Sequence, residues 1–174
     1  MILVLERRIT EHYALFDEMC RVPDFQAYID VFDRFGFGIN LKMLLLYHCY
    51  PFDKFLVNGK AWIEREPTIH GKFSKRDRSL RKFQSYLGMG YALKQSGEQN
   101  KSKFTGSSIM RSHLYVWAVC RIASSRSRPH TKEIQPIVKR YDELRQTVKG
   151  KDALIRILFK ATRHLYRELL RSLK

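Results

Sequence analysis

No two cysteines in this sequence stand in a Cys-x-x-Cys arrangement, and the three present, Cys20, Cys49 and Cys120, are widely spaced and odd in number. That spacing indicates neither a zinc site nor a disulfide framework and leaves reduced thiols as the default of a cytosolic protein. Long apolar runs are also missing. The longest, Met43-Leu44-Leu45-Leu46-Tyr47, falls far short of the roughly 18 residues a membrane-spanning helix needs, and no secretory leader is recognisable. Internal repeats are absent, and strand-type alternation is scarce. Acidic residues are few: seventeen Asp and Glu stand against thirty-three Lys and Arg, for a net charge of +16. Paired carboxylates able to hold Mg²⁺ are lacking in the basic part, where Glu64 and Glu66 have no third partner.

What is present is positive charge, unevenly placed. Residues 1–59 carry six basic and eight acidic side chains, residues 60–111 twelve and four, and residues 112–174 fifteen and five. The last two thirds thus exceed what solubility requires, and such a field favours polyanionic partners. With 44% hydrophobic and 13% aromatic residues the chain can still bury a core. Of DNA, RNA and an anionic membrane surface, we expect a nucleic acid as the partner and no membrane, in a cytoplasmic protein.

The periodicity predicts a mainly α fold. Ile2, Leu5, Ile9, Tyr13, Phe16 and Cys20 recur at helical spacing in a long, coiled-coil-like first helix that no capping residue precedes, and Pro23 ends it. That start suggests a segment upstream, absent or encoded elsewhere. A second helix follows from about Asp24. Gly36-Phe37-Gly38 then leads to Asn40, placed as N-cap of a helix over 41–48. Helix, Gly-x-Gly turn, helix is the order of a helix-hairpin-helix. There Gly36, Gly38 and Asn40 would bring backbone N–H groups to a phosphate, unless the turn is an ordinary tight connection. Pro51 to Leu56 makes a short helical turn. A polar, basic loop through Lys75 and Arg76 to Asp77 is expected to enter a helix over 78–87, and residues 91–106 read as an irregular segment. Ser107 or Ser108 caps a helix to about Ala123, Thr131 caps one to about Val148, and the last helix runs from Lys151 to Leu173. Its apolar face opposes Arg156, Lys160, Arg163, Arg167 and Arg171. The chain divides into a connecting helix (1–22), a hairpin and serine-loop core (23–130) and basic C-terminal helices (131–174).

Within the irregular segment, Ser96 is followed by Gly97 and bracketed by Lys94, Lys101 and Lys103. A serine hydroxyl can attack a phosphodiester if cations stabilise the developing charge and a base takes its proton, although Ser-Gly is also a common turn. His113 and His130 are the only nearby candidate bases. Lys75, Arg76, Arg78 and Arg111 complete the expected phosphate contacts.

In order and spacing these features resemble the C-terminal domain of the IS-one-ten (DEDD) insertion-sequence transposases. The resemblance rests on Gly36-Phe37-Gly38, Leu44-Leu45, Phe83 to Leu87-Gly88, Gln95-Ser96-Gly97, Gly106, and Arg111 followed by Leu114. Tyr141, Leu144, Gly150-Lys151 and Arg163-His164-Leu165-Tyr166 extend it over essentially the whole chain. It implies DNA strand exchange in which Ser96 forms a covalent phosphoserine link, with Lys94 and Arg111 near the phosphate. It further implies a structured guide RNA, a homo-oligomer, and an N-terminal RuvC-like domain whose Asp and Glu residues bind Mg²⁺. No such acidic domain stands in this sequence, so the expectation is a DNA-binding transposase domain inactive by itself, with no cofactor of its own. Phe37 departs from the isoleucine usual at that position, and the stretch 58–78 is longer than in the simplest members. The alternative is a non-catalytic, basic helical nucleic-acid-binding module.

Overall fold

A computed structural model describes the backbone of residues 2–67, 73–96 and 99–173, and the side chains of these except 2–7, 9, 92–96 and 99–102. Seven α-helices dominate the described residues: α1 (Ile2–Cys20), α2 (Pro23–Arg34), α3 (Ile39–Cys49), α4 (Arg78–Tyr86), α5 (Ser108–Trp117), α6 (Gln135–Arg145) and α7 (Gly150–Ser172). The fold is mainly α, as the periodicity predicts. Two antiparallel ribbons interrupt it, β1 (Ile63–Pro67) with β2 (Phe73–Asp77) and β3 (Gly90–Ser96) with β4 (Gln99–Thr105).

Both ribbons correct the sequence reading, which placed loops there. Exposure accounts for the miss. No residue of β1 or β2 is buried, so neither strand carries the apolar alternation that marks a half-buried strand. Smaller corrections follow from local chemistry. Asn40 lies inside the first turn of α3, and the N-cap is Gly38, with extended backbone and no side-chain cap bond. Pro23 opens α2 rather than only closing α1, since its fixed φ suits a first helical turn. Thr131 does not cap a helix with its side chain, because its hydroxyl donates to the Arg34 carbonyl at 2.6 Å; α6 starts later, with Pro136 in its first turn. Asp77, unremarked in the sequence, caps α4 by accepting from the Leu80 amide at 2.8 Å. Ser107 caps α5 as expected, accepting from the Met110 amide, and α5 continues into a π-helical turn over Ala118–Ala123.

α7 is the keel. Its buried face of Ala153, Leu154, Ile157, Leu158, Ala161, Thr162, Leu165, Tyr166 and Leu169 contacts α2, α4, α5 and α6. Residues 131–174 therefore share one continuous core with residues 23–130. Beside α7, the rings of Phe52, Phe55, Phe83 and Tyr166 meet with centroids 5.2 to 6.0 Å apart, a spacing at which edge contacts add to plain burial. Buried polar groups are mostly matched. Gln84 donates to the Phe159 carbonyl and to Thr162, Trp117 donates to the Phe35 carbonyl, and the Phe52 amide donates to the Tyr28 hydroxyl. Arg34 bridges Glu133 and Glu168 and donates to Ser172, tying α2 to α7 and to the segment just before α6. α1 touches this body at its C-terminal end, where Phe16 is buried while Tyr13 and Leu15 stay exposed. Cys49 is buried, Cys20 half-buried and Cys120 exposed, all as free thiols.

Candidate nucleic-acid interface

The β3–β4 ribbon is held at its foot and extends away from it. At the foot, the ring of Phe104 lies 4.9 Å from Tyr91 and 6.3 Å from Phe159 of α7, the second pair nearly parallel at 22°. The Arg111 guanidinium sits 5.1 Å from the Phe104 centroid and donates to the Gly88 carbonyl at 2.7 Å. Arg111, expected at a phosphate, is thus part of the clamp that joins α5 to the ribbon and to the turn after α4. From this base the register runs Ala92↔Lys103, Lys94↔Lys101 and Ser96↔Gln99. Paired residues share a ribbon face and faces alternate along a strand, so Lys94, Ser96, Lys101 and Lys103 all occupy one face. Ser96 is the last paired residue of β3, roughly 20 Å from Gly90 at about 3.3 Å per residue. The side chains of Lys94, Ser96 and Lys101 lie outside the described residues. Lys103 is exposed.

Lysines placed directly opposite each other destabilise a ribbon. The β1–β2 ribbon repeats the pattern with Arg65↔Lys75. Its other face is balanced. Arg76 pairs with Glu66 at 3.0 Å, and Arg78 donates to Glu64 at 2.6 Å. These two arginines, expected to be phosphate ligands, already have carboxylate partners, yet such half-exposed pairs are worth only about 0–1 kcal/mol and yield readily to a phosphate. The same pairing occupies Glu64 and Glu66, so they do not fit a Mg²⁺ site. Among the described residues no group of three or more His, Cys, Asp or Glu side chains could hold a metal ion.

The glycine turn between α2 and α3 separates its two glycines by role. Gly36 has φ +63°, and a Cβ there would stand 2.9 Å from the Pro129 side chain. It serves the turn and its contact with the 124–131 connection. Gly38 is exposed with open space around it. With the exposed Asn40 it borders a hollow of 480 Å³ whose far wall is α5 and the following turn, including Ser112, His113 and Arg121. All three of the expected residues line this hollow, Gly38 and Asn40 exposed and Gly36 half-buried.

A hollow of 720 Å³ lies between α4 and the feet of both ribbons, and sequence reasoning missed it. Trp62, Tyr91 and Phe159 contribute aromatic surface, Arg78, Arg81 and Lys82 charge, and Ser79 and Gln84 polar groups. The one signal in the sequence was a tryptophan in a polar stretch just after the Asn58-Gly59 turn. Beneath it the Tyr166 hydroxyl, beside Ser79 and Asp77 without a well-formed hydrogen bond, is pushed up to about 12, first by burial and then by the Asp77 charge.

A separate basic strip follows the outer face of α7, where Arg156, Arg163 and Arg167 are exposed. Half-buried His164 is held below its ordinary value, by burial first and then by Lys160 and Arg167. No helix among the described residues is long and apolar enough to cross a membrane. Comparison of this chain with protein-family models, with curated proteins and with solved structures finds no match.

Proposed function

We propose that this chain is the DNA-handling, serine-bearing part of a transposase of the IS-one-ten (DEDD) kind, working in the bacterial cytoplasm at the nucleoid. One observation carries the reading: the β3–β4 register sets Ser96 at the ribbon end on the same face as Lys94, Lys101 and Lys103. Cations on the same ribbon face as a hydroxyl favour the approach of a phosphodiester to a serine nucleophile. As the Ser96 oxygen bonds to phosphorus, the P–O bond to one deoxyribose breaks, and the departing sugar oxygen ends as a hydroxyl, its proton balancing the one Ser96 gives up. The number of phosphate ester bonds is conserved, and rejoining needs no ATP. By the resemblance, the acidic Mg²⁺-binding domain, a structured guide RNA and further copies of the chain complete the machine.

A second reading has its own support. Apart from Ser96 and the lysines, that face holds Gly90, Ala92, Gln99 and Thr105, none of which accepts a proton at neutral pH. A ribbon face rich in cations and, among the described residues, without a base suits a non-catalytic module that grips phosphates.

Salt titration and adduct trapping separate the two. Binding of labelled duplex DNA and structured RNA, followed by anisotropy, should weaken steeply with salt, at a log–log slope of about −0.9 per phosphate contacted on DNA. Absence of binding at low salt refutes both readings. With the acidic domain supplied, a covalent DNA adduct that Ser96→Ala abolishes without loss of binding supports the transposase. An adduct that survives Ser96→Ala removes Ser96 from the role, and salt-sensitive binding without any adduct leaves the module.

A further inference from the structure

We propose that the 720 Å³ cleft between α4 and the feet of the two ribbons binds an unpaired nucleotide, with Trp62 stacking on its base and Arg81 and Lys82 meeting its phosphates. The proposal rests on the nucleic-acid reading above and specifies what part of the nucleic acid this cleft takes.

Trp62 is the starting point. It is 52% exposed, an unusual state for the side chain with the most apolar surface to lose. Its backbone is nonetheless fixed on both sides: its amide donates to the Ser79 hydroxyl at 2.9 Å, and its carbonyl accepts from the Arg78 amide at 2.9 Å. No other ring stacks on it among the described residues. An indole carried on an anchored backbone with half of its surface open offers a platform to a flat partner. Tyr91, 55% exposed, and Phe159 line the same cleft from the side of the second ribbon and α7. Aromatic walls are how proteins hold bases that have left a helix, because every base offers a π-face.

The charges around the cleft match a phosphate and disfavour a cationic or purely apolar occupant. Arg81 is exposed and makes no ion pair or side-chain hydrogen bond with the described residues. Lys82 is exposed and donates to the Lys54 carbonyl, a neutral partner that leaves its charge uncompensated. Arg78 on the cleft wall is paired with Glu64, and the Asp77 carboxylate that precedes it accepts from the Leu80 amide. Inside, half-exposed Thr105 offers a hydroxyl to a base edge, whereas buried Ser79 and the Gln84 amide nitrogen are already engaged by Trp62, Phe159 and Thr162. The volume falls within the roughly 300–1,000 Å³ of small-molecule sites, ample for one nucleotide. A base within a duplex cannot reach the walls, so the cleft reads a strand that is frayed, looped or single.

The test compares two labelled hairpin duplexes, one blunt and one bearing a six-nucleotide unpaired tail, each made as DNA and as RNA. The wild-type chain should bind the tailed forms more tightly, with tryptophan emission quenched by the tail and unchanged by the blunt form. Trp117 will not confuse the signal, being 5% exposed and bonded to the Phe35 carbonyl. Trp62→Ala should weaken tailed binding roughly 5- to 150-fold, the range for one base–aromatic stack, and blunt binding less than about twofold. Trp62→Phe should recover part of the loss, which a folding defect would not allow. Arg81→Ala should reduce the salt dependence of tailed binding. The preference between the DNA and RNA tails tells whether the sugar hydroxyl is read. Equal loss on blunt and tailed forms, or no loss on either, overturns the cleft proposal while leaving the nucleic-acid reading intact. No binding of any form by the wild type overturns both.

Discussion

Arg111 offers a sharp test of the reasoning, because sequence and structure give it different work. The sequence sets it near a phosphate. The structure has its guanidinium donating to the Gly88 carbonyl at 2.7 Å and lying 5.1 Å from the Phe104 centroid. Arg111→Met keeps the apolar stem and removes both interactions. A charged donor to a carbonyl contributes about 1.5–3 kcal/mol, and a partly buried cation–π contact about 0.5–2 kcal/mol. Part of each is recovered by water entering the half-exposed site, so the variant should lose about 2–4 kcal/mol in urea unfolding. Its DNA binding, measured where the protein remains folded, should keep its salt slope, since no phosphate contact has gone. The opposite pattern would refute the clamp: stability within about 0.5 kcal/mol of wild type, and a slope shallower by about 0.9.

Two further outcomes follow from local geometry. Gly106 has φ +88°, and a Cβ there would stand 1.8 Å from the Ser85 carbonyl oxygen, which also accepts from the Gly88 amide. Gly106→Ala combines left-handed strain of about 1–2 kcal/mol with a backbone collision, so its urea midpoint should fall far more than that of Gly59→Ala, where φ is also positive but the space is open. Tyr166 gives a pH dependence. Its folded value, about 12, stands above the ordinary 10, so the folded chain holds this proton more tightly than the unfolded chain does. Its contribution is fully present below pH 10 and is lost as pH rises from 10 through 12. Tyr166→Phe should remove this part of the alkaline loss in thermal melts from pH 9 to 12. An unchanged profile would refute the assignment.

Much of the helical frame was legible because burial writes itself into the sequence at a period of 3.6. Leu154, Leu158, Leu165 and Leu169 mark the buried face of α7 without ambiguity, and Ser107 and Gly88 mark ends by their own backbone and side-chain chemistry. The ribbons were not legible. Ile63 and Phe73 are exposed, and in β3–β4 the apolar pair Tyr91 and Phe104 meets Phe159, a residue 55 positions after Phe104 in the chain. A strand stabilised by one distant contact at its foot leaves too short a pattern to read. For the candidate site, the sequence supplied residue types and the register supplied their company. Nothing in Lys94-Gln95-Ser96 says that Lys101 stands opposite Lys94. Trp62 was overlooked for the converse reason: composition flags charge easily, whereas one aromatic in a polar stretch acquires meaning only once its neighbours and exposure are known.

The opposed cations of the ribbons connect stability to function. Lys94↔Lys101 and Arg65↔Lys75 each oppose ribbon formation, by about 0.2–1 kcal/mol for a directly facing pair. A bound polyanion reverses the sign, because one phosphate between two cations satisfies both. If the ribbon has kept this mismatch for a polyanion, relieving it should help the free protein and harm the complex. Lys101→Glu makes the pair attractive and should raise the melting temperature at low salt by a degree or two, given that about 1 kcal/mol moves a domain of this size by roughly 2–4 °C. The gain should shrink in 0.5 M salt, where screening falls to a few ångströms. The same variant should bind DNA more weakly and with a shallower salt slope, while Lys101→Gln should fall between the two in both assays. A variant that is stabilised without any loss of binding would mean that the lysine face meets no phosphate. A variant that loses both stability and binding would mean that the lysines support the ribbon itself, and the mismatch would then need another cause.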